Sequence, residues 1–162
     1  MMSDQKETDL IEQLKDIAEK NPEDIQAHLN LGNACLKEFN GAEALSAFQK
    51  ATRLQSDNAD AYFGLAKAFD ALQRYDEMLD AFKEACWLKP DWPEAHYNLG
   101  LGYMVVGLYE DALEPLKEAV KVKPDYAEAH RVLSLVFKLT GFTEQSEFHK
   151  KEAGRLNPDF KG

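Results

Sequence analysis

The residues of this chain that could do chemistry are four histidines (His28, His96, His130 and His149), two cysteines (Cys35 and Cys86) and 29 carboxylates. Imidazole and thiolate act as zinc ligands or as a base and nucleophile only when they converge within a few ångströms. The two cysteines are too few and too scattered for a zinc site or a disulfide framework, and read as buried apolar thiols. His28, His96 and His130 recur at one position of a 34-residue spacing, with Tyr62 at the skipped position. Equivalent positions in stacked helices lie roughly 10 Å apart, too far to share one metal. They are expected to pack between helices, and His149 to be solvated. Carboxylates are so numerous that a pair could be drawn almost anywhere, and on helices such charges form a solvated face. No glycine-rich phosphate loop, nucleophile elbow or paired His–Cys motif occurs. The chain is therefore read as no enzyme, with no cofactor and no metal.

Composition narrows the partners. The net charge of −10 argues against nucleic acid, because phosphate binding requires clustered Lys and Arg. An anionic membrane surface is disfavoured for the same reason, and a basic or neutral peptide is easier to accommodate. The start, MMSDQKETDL, has no basic region followed by an apolar stretch, so no signal peptide is expected. No apolar run is long enough to span a bilayer. The cytoplasm is the expected compartment.

The elements that position these residues come from an internal repeat. Leu31, Leu65, Leu99 and Leu133 are spaced 34 apart, as are Ala27, Ala61, Ala95 and Ala129, and Ala51, Ala85, Ala119 and Ala153. Asp57, Asp91, Asp125 and Asp159 keep the same period, and so do Pro90, Pro124 and Pro158. Each copy reads as two helices. A turn marked by Gly41, Gly107 or Gly141 joins them, and proline stops the second. The next helix is expected to open on Asp with an acid three residues on: Asp57 with Asp60, Asp91 with Glu94, Asp125 with Glu128, as in a capping box. Gly32 and Gly100 fit close helix–helix contact. Pro115 falls inside a second helix, where an outward-facing kink is expected. Trp87 and Trp92 are expected to pack where the second copy meets the third.

The segments AHLNLGNACLKEFNGAEALSAFQKATRL, AHYNLGLGYMVVGLYEDALEPLKEAVKVKP and AEAHRVLSLVFKLTGFTEQSEFHKKEAGRLNP resemble tetratricopeptide repeats, over residues 25–158. The resemblance implies an all-α, right-handed α-α superhelix of four helix pairs. Residues 1–22 form an N-terminal capping helix, with Leu10, Ile11, Leu14 and Ile17 as its core side. Residues 23–158 form the four-repeat domain, with copies at about 25–58, 59–92, 93–126 and 127–160. A short tail occupies 159–162. The last helix turns polar, with Ser146 and Lys150 where earlier copies carry apolar residues, as a terminal repeat should.

The resemblance further implies a concave groove, lined by the first helix of each pair, that binds a partner protein or peptide. In this frame the groove residues are Leu29, Asn30, Asn33, Phe63, Lys67, Tyr97, Asn98, Leu101, Met104, Arg131 and Leu135. Aromatic, Leu and Met side chains would anchor a partner. Asn30 and Asn98 could hydrogen-bond a peptide backbone, and Lys67 and Arg131 could meet carboxylates. Some members of the family hold a chaperone's C-terminal carboxylate with Lys, Asn and Arg from consecutive repeats. Here Asn33 matches one such position, but Leu29 replaces a Lys and Gly64 an Asn, so that clamp is missing. The expected role is an adaptor or scaffold. The alternatives are a structural array that self-associates as a homo-oligomer, or a chaperone that shields apolar client segments.

Overall fold

The structure, a computed structural model, describes residues 2–160, with side chains from Leu10 onward. Met1, Lys161 and Gly162 lie outside the described residues, so the expected tail is described only to Phe160. Among the described residues there are nine α-helices and no strand: α1 (Met2–Lys20), α2 (Ile25–Lys37), α3 (Gly41–Leu54), α4 (Ala59–Ala71), α5 (Tyr75–Leu88), α6 (Pro93–Val105), α7 (Tyr109–Val122), α8 (Ala127–Leu139) and α9 (Thr143–Leu156). A 3-10 turn, Pro158–Phe160, comes after α9. No helix is long and apolar enough to cross a membrane. The chain divides into two compact units, Met1–Leu88 and Lys89–Gly162.

All four hairpins turn in the same way, and the reason is backbone hydrogen bonding. Two amides past each first helix fold back onto its last carbonyls, as Asn40 N–H donates to Cys35 O at 2.9 Å and Phe39 N–H to Leu36 O at 3.2 Å. Arg74 and Gln73, Leu108 and Gly107, and Phe142 and Gly141 repeat the pair of bonds. This motif requires a left-handed residue one past the cap. Phe39, Gln73, Gly107 and Gly141 hold it, with φ of 57°, 58°, 79° and 86°. Gly41 is not the turn residue of the first copy. It opens α3, buried against Ala71 and Leu72.

Helix starts also differ from expectation. Asp24 caps α2 through its carboxylate, and Asn58 caps α4 with its side-chain oxygen on Ala61 N–H at 2.9 Å. At the equivalent positions Trp92 and Tyr126 cap α6 and α8 with no side-chain bond. The cap thus falls one residue after Asp57, Asp91 and Asp125, and those aspartates do not form capping boxes. In α6 the proline at the first helical position, Pro93, presets the backbone instead.

In the first unit the core centres on Phe48, which is fully buried. A Cβ on Gly32 would come within 2.7 Å of its ring, and one on Gly64 within 2.2 Å. Only a bare backbone on both α2 and α4 lets the phenyl group lie between them. α1 packs on α2, with Ile11 and Leu14 half-buried and Ala18 buried. Leu10 and Ile17, expected in its core, are exposed, because one partner helix covers only part of the stripe.

In the second unit Ala112 and Leu116 of α7 pack with Val132, Leu133, Val136 and Phe137 of α8. α7 runs through Pro115, whose ring is buried and not outward-facing. Trp87 is 76% exposed, so it does not pack as expected, while Trp92 is half-buried with the Lys89 ammonium 4.7 Å from its ring centre. Ser146 is buried after all. Its hydroxyl donates to Ser134 O at 2.9 Å while the Ser134 hydroxyl donates to Ser146 O at 2.8 Å. This reciprocal pair replaces apolar packing between α8 and α9 and satisfies both hydroxyls.

Candidate protein-interaction surface

In the first unit, Asn30 and Asn33 of α2 project into a cleft of about 590 Å³ whose other wall is Leu10, Ile11 and Leu14 of α1. Ala34, Lys37 and Glu38 complete its lining. The Asn30 carboxamide oxygen accepts from Gln26 Nε2 at 2.8 Å, leaving its own N–H donors directed outward. Leu29 is placed differently. It is 8% exposed and belongs to the core, because its Cα faces the packed side of α2. On α4, Phe63 is half-buried and packs edge-on to Phe82, with ring centres 5.5 Å apart. Lys67 is exposed with its ammonium 6.0 Å from the Phe63 ring centre. These two form one amphipathic spot, a flat apolar face under a cation.

In the second unit, Tyr97 of α6 packs on Tyr126, with ring centres 5.1 Å apart. Burial pushes the Tyr126 phenol up to about 12, with help from Tyr97 and the neighbouring carboxylates of Glu94 and Glu128. Both phenols thus stay neutral and serve as hydrogen-bonding tips on an apolar wall. Asn98 donates its amide to Glu94 O at 2.7 Å, so half its donor capacity is spent within its own helix. Leu101 and Met104 lie half-buried against the core of α7 and α8. Arg131 of α8 is exposed, and Phe160 of the 3-10 turn stacks on its guanidinium at 5.3 Å. That turn occupies the same place beside Arg131 that Tyr126 occupies beside Tyr97, 34 residues earlier. Leu135 is 43% exposed.

Three of the histidines share one structural task. Nε2 of His28, His96 and His130 lies 3.0, 2.8 and 3.1 Å from the carbonyl of the proline six positions earlier (Pro22, Pro90 and Pro124). Each ring ties a first helix to the loop that enters it. His149 overturns its expectation: it is half-buried, stacked on Phe137 at 5.5 Å, with Nδ1 2.9 Å from Nδ1 of His130. A carbonyl only accepts, so His130 carries its proton on Nε2, and Nδ1–H of His149 donates to the bare Nδ1 of His130. Among the described residues no group of three His, Cys, Asp or Glu is placed to hold a metal ion. Cys35 and Cys86 are buried free thiols, each pushed up to about 11 by burial, and in Cys35 also by Glu43.

Sequence reasoning missed the α1 wall of the first cleft and the exposure of Phe39, Phe142 and Trp87. The repeat itself carried a signal for Trp87, and for Phe148, which the sequence reading offered as a contact in self-association. Trp87 stands in a column of Arg53, Lys121 and Arg155, and Phe148 in a column of Ser46, Asp80 and Glu114.

Residues 40–96 and 97–141 each match the tetratricopeptide repeat. Among curated proteins no relative matches. Among solved structures the chain is similar to a crystal structure of MamA, with 23% identity over 92% of this chain and 87% of that one, at a TM-score of 0.85. A MamA structure from Desulfovibrio magneticus RS-1, comprising residue 41 to the end, gives 18% identity over 96% and 88% of the two chains, at 0.84. TTC0263, a thermophilic TPR protein in Thermus thermophilus, gives 21% over 93% and 84%, at 0.73. At these identities the likeness speaks to fold alone, and it agrees with the nine helices and four Schellman-type hairpins. With repeat matches over more than half its length, the chain belongs to the tetratricopeptide repeat family.

Proposed function

We propose that this chain is a protein-interaction module, an adaptor or scaffold, that binds a segment of a partner along the exposed stripes of its first helices. The observation that carries this reading is the cleft between α1 and α2, where apolar Leu10, Ile11 and Leu14 face Asn30 and Asn33. One wall offers area for apolar side chains, and the other offers carboxamides that pair with a peptide backbone. Phe63 with Lys67 extends the surface in the first unit. Tyr97, Asn98, Leu101, Met104, Arg131 and Leu135 form the corresponding surface in the second. Leu29 takes no part in contact and supports α2 from below. We assign residues 1–22 to a cap and residues 23–158 to the binding domain, acting in the cytoplasm, where the two unpaired thiols would stay reduced.

The test is affinity capture from the native cell with the wild-type chain and with a variant carrying Asn33→Arg, Lys67→Glu and Leu135→Asp. All three positions are exposed, so helix content should not change. A partner held by the wild type should be lost by the variant. Equal capture by both would remove the first-helix stripes from the account. Sedimentation over a range of concentrations distinguishes this reading from self-association, for which Phe148, 58% exposed on α9, is a candidate contact.

A further inference from the structure

The second helices of the four copies act as controls for one another. On α5 and α7 every lysine pairs with an acid of its own helix, and on α9 Arg155 does, while Lys150 and Lys151 have no acidic partner among the described residues. Asp80 pairs with Lys83 at 3.0 Å, Glu114 with Lys117 at 2.7 Å, Glu118 with Lys121 at 2.8 Å and Glu152 with Arg155 at 2.8 Å. α3 departs from this pattern at both acid positions. Ser46 stands in the column of Asp80 and Glu114, and Lys50 in the column of Glu84, Glu118 and Glu152. Arg53, in the column of Lys121 and Arg155, therefore lacks the carboxylate its counterparts have, and Lys50 adds a second cation one turn away. Among the described residues neither Lys50 nor Arg53 has an acidic partner.

These two cations line a cleft of about 540 Å³ formed with α1 and α2. Its floor includes Ala18, Leu31 and Ala47. Lys15, on the opposite wall, is held by Glu43 at 2.7 Å, and Glu19 is the remaining acid at the rim. The cleft thus carries three cations and two carboxylates, one of them already paired, in a chain whose net charge is −10. A local reversal of sign against the overall field marks a place where negative charge is accepted.

We propose that the cleft between α1 and α3 docks an acidic segment of a partner protein, with carboxylates on Lys50 and Arg53 and an apolar side chain on the Leu31–Ala47 floor. Cations three apart on a helix have Cβ atoms roughly 5–6 Å apart, and alternate side chains of an extended strand are about 6.6 Å apart. Either an acidic helix face or an acidic strand can therefore engage both. The Arg53 guanidinium can take a carboxylate through two parallel hydrogen bonds. This surface is separate from the first-helix stripes and does not rest on the function proposed for them.

The experiment uses the full chain and a fluorescein-labelled, Ala-rich helical peptide bearing glutamates along one face beside a leucine. The counterpart peptide replaces each Glu with Gln. Anisotropy should show binding to the Glu peptide that weakens as salt rises, and little binding to the Gln peptide. Lys50→Glu recreates the Glu–Arg spacing of α9 and should keep the helix content. It should weaken binding roughly tenfold, and Arg53→Gln should weaken it several-fold. Lys121→Glu, in the Arg53 column on another helix, should leave binding unchanged. Equal binding of both peptides, or undiminished binding by Lys50→Glu, overturns the proposal. So does capture on phosphatidylserine vesicles without peptide binding, which would make the cleft a lipid site. A wild-type oligomer that Lys50→Glu dissociates, again without peptide binding, would make it a contact between copies.

Discussion

His149 shows how one side chain can report on the packing around it. Its pKa is pushed down to about 4 from an ordinary 6.5, first by burial and then by the neighbouring His130, with Glu152 opposing. Its Nδ1 lies 2.9 Å from Nδ1 of His130 and its ring is stacked on Phe137. The unfolded chain binds protons more readily than the folded one in this range. Stability is therefore fully present above pH 6.5 and declines as pH falls from 6.5 towards 4. Urea unfolding followed at about pH 7 and about pH 4.5 should show a lower midpoint at the acid pH. In His149→Phe, which keeps the stack on Phe137 and cannot titrate, much of that difference should vanish. If the variant's acid sensitivity equals that of the wild type, the histidine pair is not its source.

At the scale of the element, the turn is the most regular part of the molecule and also the place where two copies carry a side chain in the left-handed conformation, Phe39 and Gln73. Four hairpins use the same pair of backbone bonds and the same left-handed residue. Copies three and four supply glycine there. Copy one supplies Phe39, 95% exposed with φ of 57°. A side chain in that conformation costs about 1–2 kcal/mol, of which glycine's extra chain entropy cancels about half. Nothing packs on the Phe39 ring that its removal would lose. Phe39→Gly should therefore stabilise the chain by about 0.5–1 kcal/mol, seen as a thermal midpoint a few degrees higher. A lower midpoint would show that the exposed ring does something in the folded chain that its surroundings do not reveal. The start of each helix is less regular. Asp24 and Asn58 cap through a side chain, whereas Trp92 and Tyr126 leave those amides without one.

At the scale of the whole molecule, the chain parts into two compact units between Leu88 and Lys89. Repeat arrays gain stability from each copy and from neighbour contacts, so a run of copies can fold without the rest. The first unit holds five helices and its own core around Phe48, Met78 and Phe82. A fragment of residues 1–88 should be helical and melt cooperatively at ambient temperature or above, as judged by circular dichroism. A fragment that is unfolded, or that melts without a transition, would mean that this core cannot form without residues 89–162.

The 34-residue columns by themselves determined the helix pairs, the all-α class and the family, because every stacked hairpin must repeat the same small and large residues to pack on the next. They also set which face of each first helix packs, since that is fixed by the helix period. Side-chain partners were decided only by tertiary structure. Leu29 sank into the core, and Ser146 and His149 left solvent to pair with Ser134 and His130. Helix caps moved one residue from the aspartates that invited them. These outcomes depend on which groups from different helices meet at hydrogen-bonding distance, and a one-dimensional pattern records spacing along the chain but no distance across it. The unpaired cations of α3 lie between the two cases. Their departure from the repeat was written in the sequence, but the cleft they face was created only when α1 folded beside them.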